Sequence, residues 1–497
     1  MTAEAAPAGV PPLRFTTKLS YGLGSIAHGW SGAGLSGGVL QLFFNQVMGL
    51  PSIWVGTVIL LSLAADAIVD PIVGRMSDRT RTRLGRRHPY MYAAAVPAAG
   101  FFWLLWHLPA GLSKLALAAL ALALMALVRI CVSIYEIPSN ALTPELSADY
   151  DSRTTLQSFR WFFGIIGGAL AAYLLNGVFL GGHAQGQLYR AGYGQWASIS
   201  ALVILVFILL STFGTQGRVK WLPTSPKPER QSFGKSLREV RGTVFNRSLV
   251  ALMSSGFLGG CANGVTINLS IYMYLHYWNL GPKQYGILVP AGAIGSMLAV
   301  FLAPFLARRM GKKRAMMSLF FASVAVGAGP VFLRLVGVMP PNGSPWIMPI
   351  LIADGIVTAT LGIVGFIIAG SMAADVVEDS AVRTGVRSEG LVYAAFGLLF
   401  KFTAGVGAFI ASVLLTVVHF PAHASRGSVD PQLMRHLVML YLPMTILLNI
   451  AAISLLGFYR IDKRAHERNV EALASRGFVH PEKDLAGEGP APVTPGV

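Results

Sequence analysis

The stretch Asp66-Ala67-Ile68-Val69-Asp70-Pro71-Ile72-Val73-Gly74 places two carboxylates four residues apart inside an otherwise apolar run. At helical spacing both project from one face, about one turn apart. The chain then turns basic, with Arg75, Asp78, Arg79, Arg81, Arg83, Arg86 and Arg87 in close succession. An ionisable side chain at mid-bilayer depth costs roughly 2.5–3.5 kcal/mol on insertion scales. Two together imply a watered cavity within a membrane protein and mark an ion or proton site.

The composition agrees. Only 12% of the 497 residues are charged and 54% are hydrophobic, whereas soluble domains carry about 25% charged residues. This deficit, with a mean hydropathy of +0.59, argues for a polytopic membrane protein, and the length suffices for about a dozen spans of ~20 residues. The net charge of +17 suggests nucleic acid in a soluble protein. Here the basic residues sit in particular short loops, so insertion orientation explains them and no nucleic-acid partner is expected. Cys131 and Cys261 lie in apolar runs and read as packing residues, not a disulfide framework. Met1 to Lys18 has no apolar core before a cleavage site, so no signal peptide is expected.

The hydropathy pattern predicts twelve spans: 20–47, 53–76, 90–108, 113–138, 157–180, 195–215, 248–274, 284–306, 315–336, 346–373, 389–418 and 434–458. Basic residues follow spans 2, 6 and 8, which makes the even-numbered loops and both termini cytoplasmic, in an inner-membrane protein. The expected organisation is a cytoplasmic segment 1–19, a six-helix bundle 20–215, a basic linker 216–247, a second bundle 248–459 and a disordered tail 460–497. The halves echo each other. Arg308-Arg309-Met310-Gly311-Lys312-Lys313 answers the Arg-rich turn after span 2, and Asp375, Glu378, Asp379 and Arg383 answer Glu145, Asp149, Asp151 and Arg153 after span 4. Parallel six-helix repeats leave this pattern.

The residues that carry these features resemble one family. Asp66 to Gly74, Ser77-Asp78-Arg79-Thr80, Gly85-Arg86-Arg87-His88-Pro89 and the opening Thr17-Lys18-Leu19-Ser20-Tyr21-Gly22 are similar to the glycoside–pentoside–hexuronide:cation symporters of the major facilitator superfamily. Glu136-Ile137-Pro138, Asn140, Glu145, Arg160, Ala374-Asp375 and Lys401 fit the same pattern. The resemblance implies an all-α fold of twelve membrane helices in two pseudo-symmetric bundles. It implies Asp66, Asp70 and Ser133 as cation ligands, and Glu136, Arg160 and Lys401 near the solute. Two departures stand out: Val69 where sodium-using members often carry Asn, and Gly29 where helix 1 is expected to carry a sugar-binding acid.

The side chains themselves support alternatives. Two carboxylates a turn apart in low dielectric share a proton, bind a cation, or form a fixed cluster with a basic residue. Glu136 either accepts hydroxyl bonds from a polyol or forms an ion pair. Lys401 either replaces the cation at Asp66 and Asp70 or pairs with Asp354. His28, Trp30, Asn263 and Asn268 are candidate solute contacts, Trp30 as a stacking face for a sugar. Asp78, Arg79, Arg86 and Arg87 are expected to latch helix ends across the inward gate.

The expectation is a monomeric secondary transporter moving a sugar or glycoside with H⁺, or else Na⁺, by alternating access, with no cofactor and no metal beyond Na⁺ at Asp66 and Asp70. The alternatives are an amphipathic, lysolipid-like solute, a membrane-embedded enzyme using the intramembrane acids, and a channel. No Walker, zinc or hydrolase-elbow spacing occurs, and no repeated ring of charge supports a channel.

Overall fold

The computed structural model describes residues 13–147, 150–221, 246–384 and 389–475. The first six long helices are α1 (Phe15–Gly34), α2 (Ser52–Arg79), α3 (His88–Trp106), α4 (Lys114–Leu146), α5 (Tyr150–Tyr173) and α6 (Arg190–Gln216). The second six are α7 (Arg247–Tyr272), α8 (Pro282–Met310), α9 (Lys312–Leu335), α10 (Ile347–Thr384), α11 (Glu389–Val417) and α12 (Pro431–Leu456). Each predicted span falls on one of them. Ten are long and apolar enough to cross a membrane, the exceptions being α1 and α3. Among the described residues there is no strand.

The halves have separate cores. The first is knotted by aromatic rings, Phe43, Phe102, Trp106, Tyr193 and Trp196, each at most 2% exposed. Apolar layers made by α7 to α12 fill the second. Close helix approach within the first half needs glycine: a Cβ on Gly29 of α1 would lie 1.9 Å from the Gly164 carbonyl oxygen of α5. Position 29 is therefore a packing position, with no room there for an acid.

α1 breaks at Leu35 and Ser36, resumes as Gly37–Gln41 and ends in a wide turn, Leu42–Val47. This second segment seals the halves together. Gly37 lies against Asn268, where a Cβ would come within 2.1 Å of Oδ1, and Gly38 lies against the Ile267 carbonyl. Ser412 Oγ donates to Gln41 Oε1 at 3.1 Å, and Gln46 Nε2 donates to the Pro421 carbonyl at 3.0 Å. Beside it α2 runs along α11, and Gly56 leaves room for Ser412.

At the opposite, Arg-rich end each half ties up its own charges. Arg86 donates to Glu145 at 2.7 Å, while Arg87 reaches Glu145 at 3.0 Å, Asp78 at 2.6 Å and Ser77 Oγ at 2.7 Å. Arg79 is exposed beside them. The expected latch across the gate is corrected accordingly: α4 continues through Pro138 and Pro144 to Leu146, which brings Glu145 onto the α2–α3 turn of its own half. The second half repeats this arrangement, with Lys312 donating to Asp375 at 2.6 Å. There the acids Asp375, Glu378 and Asp379 lie on a helical extension of α10 and not in the expected loop.

The expected tail is also corrected in part. Lys463–Ser475 form a helix, α13. It docks because Leu473 is buried and His466 Nδ1 lies 2.8 Å from Glu378 and 3.4 Å from Asp375. Burial, with Asp375 and Asp379 nearby, pushes the Tyr459 hydroxyl above its ordinary pKa, so it stays a donor to the Met372 carbonyl. The acids at 149 and 151 and residues 222–245 of the 216–247 linker lie outside the described structure or side chains.

The Gly56 contact is testable. A Cβ there would lie 2.3 Å from Ser412 Oγ, so Gly56→Val is expected to overpack the seam at a cost of about 1–3 kcal/mol. Thermal unfolding of the purified protein checks this; an unchanged melting curve would mean that the halves do not meet here.

Candidate functional site

α2 presents Asp66 and Asp70 on one face, as the four-residue spacing requires. Ser133 of α4 donates to Asp66 Oδ1 at 2.8 Å. Lys401 of α11 donates to Asp66 Oδ2 at 2.7 Å and to Asp70 Oδ2 at 2.5 Å. Asp66 is only 5% exposed. Asp70 Oδ1 is buried and has no hydrogen-bond partner. The ammonium thus bridges two carboxylates and neutralises one of their two charges. Of the alternatives for Lys401, the structure displays the counter-charge; no contact with Asp354 is found among the described residues.

One turn further along α4, Glu136 organises a second cluster. Its Oε1 accepts from Arg160 at 2.5 Å and from Asn140 at 3.0 Å, and its Oε2 is 3.8 Å from His28 Nδ1. Arg160 also donates to Ser139 Oγ at 2.7 Å, and its guanidinium lies 5.1 Å from the centre of the Tyr21 ring. Glu136 Oε2 is buried without a hydrogen bond, while the His28 side chain is 54% exposed. The arrangement offers an acceptor, a cation and an accessible imidazole side by side, a set suited to hydroxyl groups. Because Ser133 and Glu136 share a helix face at i, i+3, α4 joins the two clusters.

The other candidates go elsewhere. Trp30 is 3% exposed, and its Nε1 donates to Ser200 Oγ of α6 at 2.8 Å. The expected sugar-stacking role is corrected to core packing, because the indole faces α6 and not the cleft. Asn268 is buried in the seal, its Nδ2 donating to the Gly264 carbonyl at 2.7 Å. Asn263, one turn earlier on α7, is exposed. Tyr21, whose ring lies against Arg160, carries no sequence signal for a place in the site. Asn140 was detectable from its i+4 spacing to Glu136.

Comparison with known proteins fits this geometry. A family model described as MFS/sugar transport protein matches residues 20–463. The chain belongs to that family. It is similar to the isoprimeverose transporter of Lactiplantibacillus pentosus, 25% identical over 93% of each chain. It is also similar to a putative glycoside/cation symporter of Escherichia coli, 25% identical over 94% of this chain and 96% of that one. Among solved structures, the inward-open xylose transporter XylE of E. coli superposes with a TM-score of 0.60 at 16% identity, covering 92% of this chain and 99% of that chain. A mutant of the nucleoside transporter NupG gives 0.65 at 15%, covering 88% and 99%. The protein is a multi-pass integral membrane transporter of the major facilitator fold, and not an enzyme.

Removing the bridging ammonium is expected to be costly. Lys401→Ala leaves two facing carboxylates uncompensated, and breaking a buried ion pair typically costs about 3–5 kcal/mol, less here because Asp70 is part-exposed. Adding Asp70→Asn to Lys401→Ala is expected to recover part of the loss, as read by differential scanning fluorimetry. No recovery would mean that Lys401 stabilises by packing alone.

Proposed function

We propose that the protein is a cation-coupled symporter of a sugar or glycoside, working by alternating access as a monomer. The observation that carries this reading is the Lys401 bridge to Asp66 and Asp70, a built-in cation at a pair of intramembrane acids. Such acids are expensive to keep unless they are used. The relatives described as an isoprimeverose transporter and a glycoside/cation symporter support the solute class and the coupling. Saturable, gradient-driven accumulation distinguishes this reading from a channel, and stabilisation by lysolipid alone would favour the amphipathic-solute alternative.

H⁺ is the coupling ion this chemistry favours. A hard cation such as Na⁺ takes about six oxygen ligands. The oxygen-bearing side chains gathered here are Asp66, Asp70 and Ser133, and Val69 adds no oxygen. A proton needs only Asp70 Oδ1. Protonating Asp70 there weakens its hold on Lys401 and lets the ammonium turn to solute hydroxyls beside Glu136, Arg160 and His28. Ser133 keeps Asp66 oriented meanwhile. This gives Lys401 roles in both the empty and the loaded state. Loop charge supports an Arg-rich end, with Asp78, Arg79, Arg86 and Arg87, that lies in the cytoplasm of an inner-membrane protein. The seal between α1 and α7 then closes the outer side, and the conformation faces inward.

The test uses proteoliposomes and a panel of isoprimeverose, methyl xylosides, methyl glucuronides and lysolipids. A true ligand at about 100 times its Kd adds roughly 2.7 kcal/mol of stability, which selects the solute. Uptake of that solute is expected to rise with an inward proton gradient and to ignore Na⁺. Asp70→Asn is expected to retain exchange but to lose concentrative uptake. Full accumulation by Asp70→Asn would sink the coupling assignment.

A further inference from the structure

We propose that Arg129 is a positioning residue that links the Asp66–Asp70 cation site to the seal made by the second segment of α1. Arg129 lies on α4, one turn before Ser133, facing both α1 and α2. Its Nη2 donates to the Leu35 carbonyl at 3.2 Å, and its Nε donates to Ser62 Oγ at 3.3 Å. Ser62 stands one turn before Asp66 on α2, and the Asp66 charge acts on Arg129.

The Leu35 contact has a backbone cause. Ser36 is extended, with φ −58° and ψ 130°, so the helix stops and the Leu35 carbonyl leaves the α-helical ladder. A freed carbonyl at membrane depth needs another donor, and Arg129 provides it. The segment beyond this break, Gly37–Val47, is the part of α1 that touches α7, α11 and the 420–424 loop. One guanidinium therefore holds the hinge of the sealing segment and feels the charge of the cation site. Neutralising the carboxylate pair weakens the pull on Arg129 from the Asp66 side and changes how firmly it holds the hinge. The two sites are thereby coupled, in the sense that occupancy at one biases a two-state element at the other.

Arg129 bonds Ser62 of α2 and the Leu35 carbonyl of α1. The charged groups next along α2 are Asp66 and Asp70, which also hold Lys401 of α11, and Ser133 one turn on along α4 donates to Asp66. Among the described residues Arg129 has no bond to the proposed solute cluster or to Asp70, so it acts through the hinge.

This inference rests on reading Asp66 and Asp70 as the cation site, and its test separates the two. The probe is a cysteine at Ser36, beside the hinge, labelled with N-ethylmaleimide in liposomes at one fixed pH, so that thiol ionisation is common to every variant; Cys131 and Cys261 are buried. Asp70→Asn, which neutralises that carboxylate permanently, is expected to change the labelling rate of Ser36→Cys by about tenfold, within the usual range of coupling. Arg129→Met should erase the effect of Asp70→Asn and Arg129→Lys should restore part of it. Should Arg129→Met not fold, Ser62→Ala removes only the Nε partner and is expected to shrink the effect severalfold. If Asp70→Asn loses proton-driven accumulation but leaves the labelling rate unchanged, or if a folded Arg129→Met or Ser62→Ala keeps the effect in full, the Arg129 link is overturned. If Asp70→Asn keeps proton-driven accumulation, the cation-site reading itself fails.

Discussion

The bond network at Lys401 is the constraint on which the rest of the structure depends. Among the described residues it is the only ion pair that joins the two halves, and it lies within the membrane-spanning region. Among the described residues the other contacts between the halves are made by glycines, amides, hydroxyls and apolar groups such as Leu60 against Gly405, contacts that separate without leaving a charge stranded. An ammonium held between two carboxylates behaves differently, since parting it from them without a substitute leaves net charge in a low-dielectric medium. The halves can part at this level without stranding a charge only when another cation takes the lysine's place at the carboxylates. That is the physical basis of coupling in the proposed symporter.

The distribution of the remaining charge follows the same logic. At the Arg-rich end, Arg86 and Arg87 hold Glu145 within the first half, and Lys312 holds Asp375 within the second. Neither tie crosses between the halves. Each braces the end of a long helix, α4 or α10, against the preceding turn and leaves the halves free to part there. At the other end α1 gives up its helical continuity to fit Gly37 and Gly38 against α7. One end is thus closed by backbone proximity, while at the other the charges are satisfied within each half, an arrangement in which the halves can part without exposing an unpaired ion.

How much of this was legible in the sequence differed by type of residue. The fold was readable because long apolar runs report membrane burial directly, and the acids at 66 and 70 stood out by their cost. The partners of Arg86 and Arg87 were not legible: the sequence suggests ties across the gate, and the structure pairs both with Glu145 of the same half. Helix length decides this, since α4 runs past 138 and through Pro144 to Leu146. Trp30 and Gly29 were harder still. Hydropathy says that α1 is buried but not which face meets α5, α6 or the cleft, and in a helix apolar on most sides that direction is set by packing alone. The Gly29–Gly164 contact fixes the rotation of α1. With Gly29 against α5, Trp30 turns to α6 and His28 is left to face Glu136.

That rotation explains why a side chain missing at position 29 need not leave a hole in the solute cluster. Arg160 of α5 bonds Glu136 and Ser139 of α4, and the tight crossing of α1 and α5 adds the Tyr21 ring of α1 to the same guanidinium. A larger residue at 29 would hold α1 and α5 apart and draw Tyr21 and His28 away from the Arg160–Glu136 pair. The α1 side of the polar cluster is thus set by a residue that carries no functional group, and in the proposed transporter His28, the side chain next to it, is what a solute would meet.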